Sequence, residues 1–229
     1  MSVSRADARL SVERLRRVSE PRVIVRQLTE PWLILGSSQE CSLVSDAAGL
    51  RVANRRGGGG AVLLVPGEVH WIDLWIPVGS GSHRIDVRSQ LEVAGEAWLE
   101  VLASSGGAHL SLAVVDEVVV EPVCFAGVGP GEVVVDATRK LVGITAWRSR
   151  HGTLVQTAVY RRRDRSLPGR LLLAPATCAQ LAVVLDEQVT DLTEIGLGAL
   201  EGAELGALLG DVLGADVEQV APELDDAEA

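Results

Sequence analysis

Lys140 is the only lysine in a chain of 229 residues, and apart from four histidines every other basic side chain is an arginine. An ammonium is a compact point charge with three rotatable donors, whereas a guanidinium is a planar fork. A single ammonium between two strand-like runs therefore marks either a site that the fork cannot serve or one surviving surface lysine. A second stretch able to do chemistry is Arg55-Arg56-Gly57-Gly58-Gly59-Gly60-Ala61-Val62. Two guanidinium groups at the end of a strand, followed by a backbone free to turn so that its N–H groups converge, can cradle a phosphate or carboxylate. The alternative is a flexible hairpin loop with solvated arginines. It is not a Walker loop, because no G-K-[ST] follows. Nor is it a dinucleotide fingerprint, because the glycines are contiguous and a strand comes next. Glu132 ends the Gly/Pro loop 127–131, eight residues before Lys140, and is either a Mg²⁺ ligand beside substrate phosphates or a solvated turn residue. Cys124 is a small buried hydrophobe or a nucleophile. The histidines at 70, 83, 109 and 151 show no metal-ligand spacing, and only His70 is placed to line a pocket or pack a strand end.

Several elements must position these groups. Ala8, Val12, Leu15 and Val18 recur at helical spacing, which predicts a short amphipathic helix over 4–18. Strands are expected at 23–25, 32–35, 51–56, 61–65 and 69–76, the last with Ile72, Leu74 and Ile76 on one face and Trp71, Asp73 and Trp75 on the other. Val87, Leu91, Ala94, Trp98 and Leu102 predict the longest helix, over about 84–103. Further strands follow at 110–115, 118–123, 132–135, 141–147 and 153–160. Beyond about Leu173 the Leu/Ala patterns are broken by glycines and read as a few modest helices with a frayed tip at 223–229.

Composition sets the class. Hydrophobic residues make up 47% of the chain, yet only seven are aromatic, so a Val/Leu/Ala/Ile core with much sheet is expected. Net charge is −10 but unevenly spread: nine basic residues and one acid lie between Arg139 and Arg170, and thirteen acids with no Lys or Arg follow. A middle that attracts anions is thus joined to an acidic end. Three distant cysteines indicate neither a disulfide framework nor a zinc site. The Arg-rich first 20 residues have no apolar core, and no apolar run of about 18 residues occurs. A cytoplasmic protein is expected, with neither nucleic acid nor membrane as partner.

Five segments in order carry a resemblance: Gly36-Ser-Ser-Gln39, Arg55-Arg56-Gly57-Gly58-Gly59-Gly60-Ala61-Val62, Trp71-Ile-Asp-Leu-Trp-Ile-Pro77, Cys124-Phe-Ala-Gly-Val-Gly-Pro-Gly-Glu-Val133 and Arg139-Lys140-Leu-Val-Gly143. Over roughly residues 20–175 the chain resembles the biotin/lipoate protein ligase catalytic domain, most closely the lipoate–protein ligase A branch. That resemblance implies an α+β fold with a central mixed, largely antiparallel sheet flanked by helices, as in class II aminoacyl-tRNA synthetases. It divides the chain into a catalytic domain over 1–172 and a small helical acidic appendage over 173–229, outside the sheet and helping to cover the bound adenylate. It implies ATP, Mg²⁺ and lipoate as cofactors and substrates. The acceptor would be a lipoyl domain of a 2-oxoacid dehydrogenase complex or a glycine cleavage H protein. Lys140 falls at the family's catalytic lysine, in a cleft and of little weight in the core. Arg55, Gly58, Gly59, Gly60, Ala61, Glu132 and Gly143 fall at substrate- and nucleotide-binding positions, with Glu132 as the Mg²⁺ ligand. The chain departs from the family at Asn54, where an arginine is usual, at Gly57, where Ser or Thr is usual, at Gly131-Glu132 in place of Asn-Asp, and over Ile144–Trp147. Three functions remain open: an acyl-adenylate-forming ligase, an octanoyl or lipoyl transferase with Cys124 as acyl nucleophile, and a non-catalytic binder of lipoylated or biotinylated partners.

Overall fold

The computed structural model describes residues 12–45, 49–115 and 121–223. The chain opens with a single 3-10 turn, Arg14–Arg17, which buries Leu15 and Val12 against Ile24, Trp75 and Leu154. Of the helix expected over 4–18, residues 12–18 are described, and they form only this turn. Half of the strand expected at 118–123 and nearly all of the tip at 223–229 lie outside the described residues.

Strands β1 (Arg22–Arg26), β2 (Trp32–Leu35), β3 (Arg51–Asn54), β4 (Val62–Leu64) and β5 (Val69–Pro77) come first, followed by helix α1 (Val87–Ser104). Then come β6 (Leu110–Leu112), β7 (Val133–Val135), β8 (Arg139–Arg148) and β9 (Gly152–Tyr160), and after them α2 (Pro175–Gln188), α3 (Gly202–Leu213) and β10 (Asp216–Val220). Seven strands form the main sheet in the order β10-β1-β5-β9-β8-β7-β6, and β3-β2-β4 form a small second sheet. Within the main sheet β10 runs parallel to β1 and the remaining pairs are antiparallel. The fold is α+β, with a mixed and largely antiparallel sheet, as expected.

Every residue of β5 is buried, because both faces of the sheet are covered. Ile72, Leu74 and Ile76 pack with Ala94, Ala97, Trp98 and Leu102 of α1, while Trp71 joins a cluster with the small sheet. The period-2 pattern of the sequence thus assigns its two faces to two different cores. Helix α1 starts at Asp86, whose carboxylate accepts from the Ser89 N–H at 2.8 Å.

The segment after Leu173 corrects the expectation of an appendage outside the sheet. β10 is an edge strand of that sheet, Val189 forms a bridge with Lys140, and the Thr190 N–H donates to the Lys140 carbonyl at 3.0 Å. Leu192, Leu205 and Leu209 are buried in the α1 cluster, and Leu181 and Leu185 of α2 are buried with Phe125. β10 has three polar residues and only two valines, so it carries no valine run of the kind that reveals a central strand.

Candidate functional site

The glycine loop leaves β3 at Asn54 and returns at Ala61. Arg55 is 4% exposed and spends most of its fork inside the loop: Nε and Nη2 donate to the Gly58 carbonyl at 3.1 and 2.7 Å, and Nη2 also donates to the Gly60 carbonyl at 2.8 Å. Its Nη1 is buried without a hydrogen-bond partner among the described residues. Burial lowers the Arg55 pKa, opposed by Cys124 and Glu132, but a guanidinium stays charged. Gly59 has φ +90°, a conformation that favours glycine, and a Cβ there would meet Arg55 Nη2 at 3.0 Å. At Gly60 a Cβ would fall 2.4 Å from the Glu121 carbonyl oxygen, so the loop presses directly on the segment leading to Cys124.

Sequence departures are explained here. Asn54 donates to the carbonyls of Gly36 and Gln39 at 2.9 and 2.8 Å, and Gln39 donates to the Pro122 carbonyl at 3.0 Å. The Gly36–Gln39 stretch therefore braces the glycine loop. A Cβ at Gly57 would lie 2.6 Å from Thr145 Oγ1, which itself donates to the Gly58 carbonyl at 3.1 Å. Thr145 thus sets a hydroxyl on the loop where Gly57 has none. Its pairing with Gly57 escaped sequence reasoning because the two are 88 positions apart.

Lys140 is brought to the cleft by a bulge. Val133 pairs with Val142 but Val134 pairs with Lys140, which leaves Leu141 extra on β8. Leu141 and Val142 remain in the α1 core, while the Lys140 ammonium sits 5.1 Å from the Phe125 ring on the other side. A bulge re-aims a side chain in this way. Gly143 follows on the same side, where a Cβ would meet Phe125 at 3.2 Å.

Lys140 lines the cleft, but it is not the lysine of little core weight that the sequence led us to expect: it is 1% exposed. Its Nζ donates to the carbonyls of Cys124 and Gly127 at 2.8 and 2.9 Å and lies 2.7 Å from Glu132 Oε1. All three ammonium protons are engaged. The expected Mg²⁺ ligation by Glu132 does not fit either. Its Oε1 also accepts from the Ile144 N–H at 3.1 Å and its Oε2 from the Gly129 N–H at 2.7 Å, and the residue is 3% exposed. Burial raises the Glu132 pKa and Lys140 opposes that shift. Among the described residues no group of three or more His, Cys, Asp or Glu side chains is arranged to hold a metal ion. Glu132 is seated by the preceding Gly131, whose φ is +76° and whose Cα lies so close to α1 that a Cβ would meet the Leu91 carbonyl oxygen at 2.3 Å.

These groups line one cleft of about 500 Å³. Arg55, Gly58, Gly59, Gly60, Cys124, Glu132 and Lys140 all face it, with Arg88 and Glu121 at its sides. Three cations against two carboxylates leave one positive charge in excess, a field suited to an anion. A smaller apolar cavity adjoins it, lined by Ile34, Val62, Leu64, Trp71, Gly143 and Ala158, and shares Arg55 and Cys124 with the cleft. His70 lies elsewhere, at 8% exposure beside Gly202, in the strand-end packing position.

Solved structures share this arrangement of strands and helices. A structure from an archaeal lipoylation system, described as a bi-partite lipoate protein ligase and its E2 lipoyl domain from Thermoplasma acidophilum, superposes with a TM-score of 0.65 at 16% identity, covering 91% of this chain and 79% of that one. The fold is that of the lipoate–protein ligases. Protein Ta0514 of T. acidophilum with bound lipoic acid gives 0.66 at 16% identity over 91% and 80% of the two chains. Lipoate–protein ligase A bound with ATP gives 0.63 at 17% identity over 89% and 77%. No protein-family model matches the sequence, and no curated protein does. The lipoate–protein ligase fold, at this identity, fixes architecture and leaves chemistry to the site. No described helix is long and apolar enough to cross a membrane.

Proposed function

We propose that the chain is an acyl-adenylate-forming lipoate–protein ligase of the cytoplasm, joining a carboxylic acid to a lysine of a lipoyl acceptor domain. The observation that carries this reading is the shared position of Arg55 and Cys124, at the junction of a polar cleft and an apolar cavity. A nucleotide fits the first; the second, about 30 Å³ as it stands, would have to open to take an acyl chain, which would set the carboxylate and the α-phosphate at the junction. Solved structures of the same fold hold lipoic acid and ATP, and one is paired with an E2 lipoyl domain.

In the first half-reaction a carboxylate oxygen attacks the α-phosphorus, the bond to the bridging oxygen breaks, and pyrophosphate leaves. The free Arg55 Nη1 and the N–H groups of Gly58 to Gly60 would hold the carboxylate and phosphoryl oxygens, so that two mutually repelling anions meet in line. Lys140 supplies the second cation. Because its three protons are engaged, it reaches the ligand by exchanging the Cys124 or Gly127 carbonyl for a ligand oxygen while keeping Glu132. In the second half-reaction the neutral amine of the acceptor lysine attacks the acyl carbon and the phosphate leaves as AMP. Any Mg²⁺ would enter with the nucleotide, since both Glu132 oxygens already accept from Lys140, Ile144 and Gly129.

Cys124 sustains a second reading, because it lines both cavities and is only partly buried. In that case an acyl group passes from a carrier thioester to the Cys124 thiolate and then to the acceptor lysine. One experiment separates them. Pyrophosphate released from ATP on addition of lipoate supports the ligase. An acyl mass increment on Cys124 after incubation with octanoyl carrier protein, with no pyrophosphate, favours the transferase.

A further inference from the structure

Two carboxylates among the described residues line the cleft, and one is already committed: Glu132 faces Lys140 and accepts from the Ile144 and Gly129 N–H groups. The other is not. Glu121 is partly buried, and its carboxylate has no hydrogen-bond or ion-pair partner among the described residues. Its backbone is fixed, because a Cβ at Gly60 would fall 2.4 Å from the Glu121 carbonyl oxygen. The next carbonyl, that of Pro122, accepts from the Ala61 N–H at 2.8 Å and from Gln39 Nε2 at 3.0 Å, and Val123 bridges Ala61. Glu121 is thereby pinned at the closing end of the glycine loop, in the segment that leads to Cys124 and the junction of the two cavities.

Transfer to a lysine makes a demand that the other side chains of the cleft do not meet. An ordinary lysine, with a pKa near 10.4, is neutral in only about one molecule in a thousand at about pH 7.4. As an ammonium it has no lone pair with which to attack, and the excess positive charge that suits the cleft to a nucleotide opposes its entry. Arg55 and Lys140 are cations that can take no proton, Glu132 is saturated, and no histidine lines the cleft among the described residues. We propose that Glu121 is the catalytic base of the second half-reaction, drawing the acceptor ammonium into the cleft and taking one of its protons. This rests on the acyl transfer to a lysine proposed above. One N–H proton moves to the Glu121 carboxylate, the freed amine forms the N–C bond to the acyl carbon, and the bond from that carbon to the phosphate oxygen breaks. The second N–H proton leaves on a phosphate oxygen of the departing AMP, and Glu121 returns its own to water.

The test is a single turnover of the intact chain loaded with preformed lipoyl-adenylate and mixed with either of two nucleophiles, a lipoyl acceptor domain or hydroxylamine. Hydroxylamine is uncharged at neutral pH and needs no base, so it reports on the bound adenylate alone. In Glu121→Gln, capture by the acceptor lysine is expected to fall about a hundredfold relative to capture by hydroxylamine, the lower end of what a positioned base contributes. Both arms are read in one chain, so a partial loss of folded protein scales them alike, and Glu121→Ala repeats the comparison with a smaller side chain. A ratio unchanged from wild type in both variants overturns the inference, whether the two arms slow together or not at all, and sends the proton to the adenylate phosphate or to water instead. If the wild-type chain passes the acyl group to neither nucleophile, the proposed ligase function falls and this inference with it.

Discussion

A buried ammonium is stable only while a carboxylate faces it, and Lys140 and Glu132 meet at 2.7 Å with side chains 2% and 4% exposed. Removing one partner leaves the other charge uncompensated, at a cost of about 3–5 kcal/mol. We predict that Lys140→Met loses stability on that scale in urea denaturation, and that Glu132→Gln in the same chain recovers part of it. A Lys140→Met chain as stable as the wild type would refute the buried pair. That Lys140 is set apart was legible from its being the only lysine. Its burial was not, because that depends on the Leu141 bulge and on the carbonyls of residues 124 and 127, which accept from its ammonium. His70 gives a second test at this scale. Burial lowers its pKa below 6.5; the nearby Glu201 and the Leu200 carbonyl oppose the shift, and Arg161 adds to it. The unfolded chain therefore binds the proton that the folded chain refuses. The contribution to stability is present above pH 6.5 and declines as pH falls below it. His70→Gln should flatten the melting temperature over that range, and an unchanged slope would exclude His70 as its source.

The hairpin joining β7 and β8 delivers Lys140, and its turn is strained. Asp136 and Ala137 have φ of 51° and 60°, the conformation that two-residue hairpin loops adopt with Asn-Gly or Asp-Gly. Ala137 carries a Cβ where glycine would be unstrained. Ala137→Gly is therefore expected to stabilise the chain by about 1 kcal/mol, read as a higher urea midpoint with an unchanged slope. A lower midpoint would mean that the turn is not under this strain. Such a turn is hard to see in a sequence, since Asp-Ala-Thr carries neither Gly nor Pro. The strands on either side were legible from valine runs and alternation, and α1 from its three- and four-residue spacing. Departures from the family at Asn54 and Gly57 also became intelligible at this scale: Asn54 ties two loops together and Thr145 fills the space beside Gly57.

Over the whole molecule, the acidic end belongs to the same folded unit as the sheet. Leu181, Leu185, Val189, Leu192, Leu197, Leu205 and Leu209 are all buried. At about 1.5–3 kcal/mol for each aliphatic side chain removed from water, their loss is comparable to or larger than the 5–15 kcal/mol by which domains are usually stable. A chain ending at Ala176 should consequently fail to fold, which circular dichroism and proteolysis would show; a cooperative melt would restore the appendage. The opposite charges noted in the sequence do meet, in pairs such as Arg161 with Glu201 and Arg165 with Asp186. These are largely exposed and worth little beside the leucines. Charge was read correctly, but the burial beneath it was missed because glycines interrupt the helical pattern of α3. The central claim concerns what the joined cleft and cavity accomplish together. Its most direct test is the intact mass of a lipoyl acceptor domain after incubation with the chain, ATP and lipoate. The account predicts a gain of one acyl group on a lysine, dependent on ATP and lost in Gly59→Val; an acceptor whose mass stays unchanged, beside a folded chain that binds both substrates, would contradict it.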